Sequence, residues 1–142
     1  MRRKQIALFA TALASIATVA SAGQIAWAGS IDPAKPALCA MTETFECAPG
    51  ESCIADTPEG INLPRFIKID FAANKAYGER ASGEERSADI LTQKVDAGRV
   101  LLQGIQDGNG WTVMIDQATG NMSLAIGGNQ VGFIIYGACT QM

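Results

Sequence analysis

Apolar and polar residues alternate in short runs along most of the chain, and turn residues separate the runs. The clearest run, 65–71, places Ile67, Ile69 and Phe71 on one face and Phe66, Lys68 and Asp70 on the other. A period of two residues is typical of a strand with one buried face, and no window combines the helical period with caps at both ends. The pattern predicts an all-β fold, an antiparallel meander of seven to nine short strands forming a small barrel or sandwich.

Nine runs are predicted to be strands, namely 42–47, 52–55, 65–71, 75–79, 90–95, 99–106, 111–116, 122–126 and 131–139. The segment 80–88 is rich in charge, including the adjacent Glu84 and Glu85, and is predicted to be a solvated loop. The last run is apolar on both faces, which is typical of a strand that is central or covered on both sides. Trp111 and Tyr136 lie among apolar neighbours, so burial in the core is favoured over a role as exposed recognition aromatics.

Turn residues separate the C-terminal runs. Asp107-Gly108-Asn109-Gly110 predicts a tight hairpin, because these residues tolerate the positive φ that such turns need. The same residues resemble the start of a calcium loop, but the remaining oxygen ligands and the closing Glu are missing. The segment 116–120 predicts a type I turn that ends with Gly120 in the left-handed region.

The first 28 residues have the layout of a secretory signal peptide. Arg2, Arg3 and Lys4 precede an uncharged run at 6–19, and small residues then offer cleavage after Ala22 or after Ala28. The alternative is an uncleaved membrane anchor, but the run is shorter than the roughly 20 apolar residues that span a bilayer. The sequence therefore predicts a signal peptide at 1–28, a leader or linker at 29–38 and a single β domain at 39–142, exported to the periplasm or secreted.

Charge limits the partners of the exported domain. The whole chain carries 11 basic and 14 acidic residues, and removal of the three basic residues of the signal peptide leaves a net charge of −6. An acidic surface repels phosphate backbones and anionic lipid heads, so neither nucleic acid binding nor membrane insertion after cleavage is expected. The expected partner is an envelope protein or a glycan. No cofactor is expected.

The four cysteines, Cys39, Cys47, Cys53 and Cys139, all follow the signal peptide. An even number in an oxidising compartment predicts two disulfides, for which three pairings exist. Cys47 and Cys53 flank a turn at Pro49-Gly50, which favours their pairing and leaves Cys39 to pair with Cys139. The alternative is a zinc site, but the chain has neither a Cys-x-x-Cys pair nor a histidine, so no metal site is expected.

Few residues are equipped for catalysis. Without histidine, a serine or cysteine nucleophile lacks its usual activating base. Asp70 and Asp116 each end a predicted strand, and they are the best candidates for a carboxylate pair in acid–base catalysis. Aspartate also commonly starts a turn by accepting a backbone N–H bond, and this explanation is favoured. We therefore predict no catalytic residues.

Two resemblances to known families rest on short motifs. The segments 45–47, 63–71 and 132–140, together with Cys53, resemble a group of small exported proteobacterial proteins of unknown function. That resemblance implies a periplasmic, disulfide-linked β fold with no known activity. Ala81-Ser82-Gly83-Glu84 shares its Ser-Gly with the loop of the periplasmic C-type lysozyme inhibitors, but the Tyr that follows in that family is missing here. This second resemblance implies an inhibitor of similar type.

Three classes of function follow from these features. A non-catalytic binding or interaction module is favoured, because no active site is found. The second class is a carrier that holds a small apolar ligand in the mouth of a barrel, although the bulky Ile, Leu and Phe residues predict a packed interior instead. The least favoured class is a hydrolase that uses carboxylates alone.

Overall fold

The computed structural model describes residues 30–142, and the predicted signal peptide lies outside them. The prediction of an all-β antiparallel fold is confirmed: the described residues form ten strands and no helix. The strands are β1 (Ala37–Cys47), β2 (Ile54–Asp56), β3 (Phe66–Asp70), β4 (Lys75–Glu79), β5 (Glu85–Asp89), β6 (Thr92–Asp96), β7 (Arg99–Gln106), β8 (Asn109–Asp116), β9 (Asn121–Gly127) and β10 (Gly132–Gln141).

All ten strands belong to one sheet, which curls into a half-barrel. Its order is β5-β4-β3-β1-β10-β9-β8-β7-β6, and the short β2 also pairs with β1. Because of the curl, β5, at one edge of the sheet, lies beside β7, which is next to the strand at the opposite edge. There the backbone N–H of Leu91 donates to the carbonyl of Gln103 over 2.8 Å, and Nε2 of Gln106 donates to the carbonyl of Ser87 over 3.2 Å.

Strand β5 (Glu85–Asp89) begins within the segment 80–88 that the sequence predicts to be a solvated loop, so that prediction is wrong for residues 85–88. Charged and polar residues dominate this strand, which hides its two-residue period from a search for apolar runs. The strand pairs with β4 along its whole length, and its inward positions are Arg86 and Ala88, opposite Gly78 and Ala76.

The N-terminal segment also differs from the prediction. Strand β1 begins at Ala37, two residues inside the predicted leader 29–38. Ile31, in the same segment, is only 1% exposed and packs in the core. Its backbone N–H donates to the carbonyl of Gln117 over 2.7 Å, and Nε2 of Gln117 donates back to the carbonyl of Ile31. Residues 30–36 therefore cover the end of the half-barrel at which β1 begins.

The predicted hairpin turns are present. Asp107 and Gly108 have φ values of 51° and 79°, as a two-residue turn with the twist of a hairpin requires. Gly120 has a φ of 73°, in the left-handed region predicted for it. These turns fix the register of β7, β8 and β9, and that register places Leu102, Val113 and Leu124 on the inner face.

Both predicted disulfides form. Cys39 and Cys139 are directly opposite each other in the ladder between β1 and β10, and their bond joins the first and last strands inside the core. Cys47 and Cys53 close the short connection between β1 and β2. Such bonds are typical of proteins that fold in an oxidising, extracellular-type compartment.

Strand β10 is central in the sheet, between β1 and β9, as its two apolar faces predict. Its outer face is partly exposed among residues 30–142, where Ile134 and Tyr136 are 36% and 47% exposed. Burial of Tyr136 in the core was predicted, and that prediction is wrong.

Candidate functional site

One end of the half-barrel opens into a cavity of about 270 Å³. We call this end the mouth; it is the end at which β7 meets β8 and β9 meets β10. The wall is mainly apolar and includes Ile67, Leu102, Val113, Leu124, Ile126 and Phe133. Cys39, one half of the inner disulfide, also contributes to it. The half-barrel thus holds a concave, largely apolar site that opens at one end.

The cavity lies against small side chains on the inner faces of β4 and β5, below the inward Arg86 at its rim. Ala76 and Ala88 are opposite each other in this pair of strands, and Gly78 lies next along β4. The facing strands β7 to β10 carry Leu, Val, Ile and Phe, which are too short to fill the space left by two alanines and a glycine. The prediction of a packed interior is therefore wrong at the mouth. At the opposite end the core is filled, and Val100 and Ile115 are fully buried there.

The loop between β2 and β3 forms one side of the mouth. Ile61 and Leu63 of this loop line the cavity. Pro64 packs against Gly78, and a Cβ added at position 78 would lie only 2.7 Å from the proline ring. The loop is held at its base by Arg65, whose Nε and Nη2 donate to the two carboxylate oxygens of Glu59 over 2.5 and 3.0 Å. These hydrogen bonds keep the pKa of Glu59 below its ordinary value.

Four charged side chains form a network at the mouth, on β5, the connection between β4 and β5, and the turn between β7 and β8. Nη1 of Arg80 donates to Glu84 over 2.7 Å, and Nη1 of Arg86 donates to the other oxygen of the same carboxylate over 3.1 Å. Nη2 of Arg86 also donates to Asp107 over 2.5 Å. The hydrogen bonds from the two arginines lower the pKa of Glu84, and the bond to Glu84 raises the pKa of Arg86. We call these four residues the rim network.

Trp111 occupies the wall beside the rim network, so its predicted burial is confirmed only in part: it is half-buried and lines the cavity. Its indole lies against Gly104, the residue opposite it in the ladder between β7 and β8. The carbonyl oxygen of Asp89 approaches the same glycine from β5. Trp111 thus lines the cavity and also packs at Gly104, the point where β5 approaches β7.

The structure does not bring Asp70 and Asp116 together in the cavity, because neither residue lines it. Oδ1 of Asp70 accepts the backbone N–H of Ala73 over 3.0 Å. Oδ1 of Asp116 accepts backbone N–H bonds from Ala118 and Thr119 and the hydroxyl of Thr119, and the bonds from Thr119 lower the pKa of Asp116. Both carboxylates start turns at the end of the half-barrel opposite to the mouth.

Within residues 30–142, no three His, Cys, Asp or Glu side chains cluster closely enough to hold a metal ion. The same part of the chain holds no helix that is long and apolar enough to cross a bilayer. Asp107-Gly108-Asn109-Gly110, which resembles only the start of a calcium loop, is the predicted hairpin turn, and the carboxylate of Asp107 pairs with Arg86.

A second surface feature lies on the outside of the sheet. Phe45 and Tyr136 contact each other edge to face, with ring centroids 6.3 Å apart. Ile134 lies opposite Phe45 in the ladder, and Phe66 of the neighbouring β3 is 53% exposed. We call these four residues the outer aromatic patch.

Sequence reasoning missed the residues that define the mouth, namely Arg80, Arg86 and Ala88. Their segment was predicted to be a loop because charge is frequent in it. A usable signal was the alternation in residues 85–89. Glu85, Ser87 and Asp89 would share one face of a strand, and Arg86 and Ala88 would share the other.

Comparisons of the chain with protein-family models, with curated proteins and with solved structures found no match. The two resemblances drawn from short motifs therefore stay predictions, and the cavity and its rim are the basis for assigning a function.

Proposed function

We propose that the mature protein is an exported, non-catalytic binding domain that holds a small apolar ligand in the mouth of its half-barrel. The observation that carries this proposal is the open, mainly apolar cavity of about 270 Å³. Ligand sites are typically concave and apolar, with a few polar groups at defined positions. Here the wall is mainly apolar, and the charged residues that line it, Arg80, Arg86 and Asp107, all belong to the rim network.

The size of the cavity sets the size of the ligand. A dry protein cavity of about 150 Å³ accommodates benzene. By that scale the cavity would take a molecule of roughly ten non-hydrogen atoms. The two disulfides support an oxidising environment, and together with the predicted signal peptide they favour the periplasm or secretion as the place where the ligand is met.

A catalytic role has no comparable support. Asp70 and Asp116 both start turns remote from the mouth, and the cavity wall contains a single carboxylate, Asp107, which is paired with Arg86. Acid–base hydrolysis by carboxylates alone needs two such groups in different environments around one site.

The proposal is tested by filling the cavity. Ala88→Leu adds three carbons to the inner face of β5, where the wall is lined by small side chains. Naphthalene, which has ten carbons, is the probe, and its binding is followed by chemical-shift changes of the mature domain in solution NMR. We expect shifts confined to residues of the cavity wall in the parent protein and their loss in Ala88→Leu.

The matched control is Ala125→Leu, which adds the same atoms to an exposed position on β9. It should bind naphthalene as the parent does. Absence of binding to the parent protein, or equal binding to Ala88→Leu, would rule out the cavity as the site.

A second candidate is interaction with an envelope protein or a glycan, for which the outer aromatic patch gives the specific support. Exposed aromatic and aliphatic residues on a single sheet face are common in interaction surfaces. Replacement of Tyr136 and Phe66 by Ser would weaken capture of such a partner without changing naphthalene binding, and this separates the two candidates.

A further inference from the structure

The four charges of the rim network are not equally placed. The side chains of Arg80 and Arg86 are 19% and 28% exposed and both line the cavity. Their acidic partners lie further out, since Glu84 is 50% exposed and Asp107 is 70% exposed. Glu84 does not contribute to the cavity wall. The network is neutral as a whole, but both arginines line the cavity, whereas of the two acids only Asp107 lines it, and its side chain is the most exposed of the four.

This arrangement makes the inner side of the mouth positive. Charges near low-dielectric protein interact more strongly than charges in water, so the half-buried guanidinium groups dominate the potential inside the cavity. The exposed carboxylates are partly screened by solvent and salt. An anionic group that enters the mouth therefore meets two guanidinium groups and one carboxylate, that of Asp107, in the cavity wall.

The geometry of the arginine side chain is also suited to binding a carboxylate. A guanidinium presents planar, paired donors, and its hydrogen bonds to a carboxylate are charge-assisted. Arg86 already uses Nη2 for Asp107, the most exposed acid of the network. A ligand carboxylate could take the place of Asp107 at this nitrogen, while Asp107 returns to water at little cost.

We propose that the ligand is an amphipathic carboxylate, with its apolar body in the cavity and its carboxylate on Arg86 and Arg80. This inference rests on the proposed function and adds the chemistry of the ligand's polar end. The apolar body extends from the rim past Trp111 toward Leu102, Leu124 and the disulfide at Cys39. The rim network selects a carboxylate over an amine and over an uncharged head group.

Three ligands with the same eight-carbon chain test the proposal: octanoate, 1-octanol and octylamine. Octanoate has ten non-hydrogen atoms, which matches the volume of the cavity. Binding is followed at pH 7 by the fluorescence of Trp111, in a Trp27→Phe background so that one tryptophan remains in either processed form. We expect octanoate to bind about tenfold more tightly than 1-octanol, the size of one charge-assisted pair, and octylamine to bind most weakly.

Variants of the rim separate the head group from the tail. Arg86→Gln should reduce octanoate binding to the level of 1-octanol and leave 1-octanol binding unchanged. Asp107→Asn should strengthen octanoate binding several-fold, because it removes the acid that competes for Nη2 of Arg86. Lys94→Gln, a charge change on the exposed β6, is the control and should change neither.

The outcomes distinguish this inference from the proposed function. Equal binding of octanoate and 1-octanol, or loss of both in Arg86→Gln while the far-UV spectrum and melting temperature are unchanged, would overturn the carboxylate assignment and leave the cavity as an apolar site. Failure of all three ligands and of naphthalene to bind would overturn the proposed function itself. A preference for octylamine would assign the head group to Asp107 instead and would also overturn the inference.

Discussion

Trp111 lies directly across the ladder between β7 and β8 from Gly104, and its indole ring covers the glycine. A Cβ at position 104 would overlap the six-membered ring and would also come within 2.6 Å of the carbonyl oxygen of Asp89. The glycine therefore allows two things at once: the indole lies flat in the cavity wall, and β5 approaches β7.

Gly104→Ala tests this relationship. Both neighbours of the new methyl group would have to move, one of them backbone, so we expect a loss of about 1–3 kcal/mol in the free energy of unfolding. The fluorescence of Trp111 should change as well, because the ring must leave Gly104. Gly110→Ala is the matched control in the adjacent strand, where a Cβ meets no atom within 4 Å, and its effect on stability should stay within about 0.5 kcal/mol. Similar stabilities of the two variants would contradict the packing argument.

The two disulfides should contribute unequally to stability. Cys39–Cys139 closes a loop with a sequence separation of 100, whereas Cys47–Cys53 spans a separation of 6. In the chain-entropy account the longer loop is worth about 4.7 kcal/mol and the shorter one roughly 2 kcal/mol. We expect Cys39→Ala with Cys139→Ala to lower the denaturant midpoint much more than Cys47→Ala with Cys53→Ala. Equal midpoints for the two double variants would contradict this ordering.

Gly120 combines two constraints that can be separated by experiment. Its φ of 73° disfavours any side chain by about 1–2 kcal/mol, and a Cβ there would overlap the carbonyl oxygen of Cys139 in β10. Gly108 shares the first constraint, with a φ of 79°, but a Cβ there meets no atom within 4 Å. Gly120→Ala should therefore cost a further 1–3 kcal/mol or so beyond Gly108→Ala, as measured by denaturant unfolding. A larger loss for Gly108→Ala would show that contact with β10 is unimportant.

The rim network should make stability depend on pH in the acid range. Hydrogen bonds from Arg80 and then Arg86 hold the pKa of Glu84 below its ordinary value of 4.5. A carboxyl whose pKa is lower in the folded state stabilises the fold above the unfolded pKa, and this contribution is lost as the pH falls through the folded pKa. We expect the parent protein to be more stable than Glu84→Gln at pH 7, and the difference to shrink below about pH 4.5.

Urea unfolding at several pH values measures this difference. Glu85→Gln removes the neighbouring carboxylate, which belongs to none of the ion pairs seen in residues 30–142, and serves as the control. A difference between parent and Glu84→Gln that stays constant from pH 7 to pH 2 would mean that the charge of Glu84 does not stabilise the fold.

Ile31 should matter for stability although it precedes the first strand. It is 1% exposed and packs in the core, so Ile31→Ala should cost about 2–5 kcal/mol in the free energy of unfolding. Ile54→Ala removes the same atoms from a residue that is 66% exposed and should change stability by less than about 0.5 kcal/mol. If Ile31→Ala were as stable as the parent, the segment before β1 would be a leader after all.

Local patterns predicted the strands and turns better than the site. The two-residue period of 65–71 and the turn at Asp107 depend on neighbouring residues, and the structure has β3 at Phe66–Asp70 and a positive φ at Asp107 and Gly108. The cavity instead depends on which side chains face one another across the half-barrel. Ala76 and Ala88 belong to the consecutive strands β4 and β5, whereas Leu124 comes from the distant β9, and only the register of the whole sheet shows that small residues face larger ones.

The same reasoning explains the outcome for the candidate residues. The disulfide pairing was predictable because Cys47 and Cys53 flank a local turn, which left one pairing for the others. Asp70 and Asp116 start turns, as their positions after strands suggested. Arg86 could not be assigned to the mouth, since its role depends on Asp107, a residue 21 positions away.

Ala37, at the start of β1, lies opposite Gln141, at the end of β10. The mouth lies at the other end of these two strands, beyond Phe133. The first and last residues that the structure describes, 30 and 142, therefore both lie at the closed end of the domain. A tether, a fused domain or a surface linkage placed there would point the mouth away from its support and leave the cavity open to solvent. The fold thus has one polarity, with both ends of the described chain on one side and the cavity on the other.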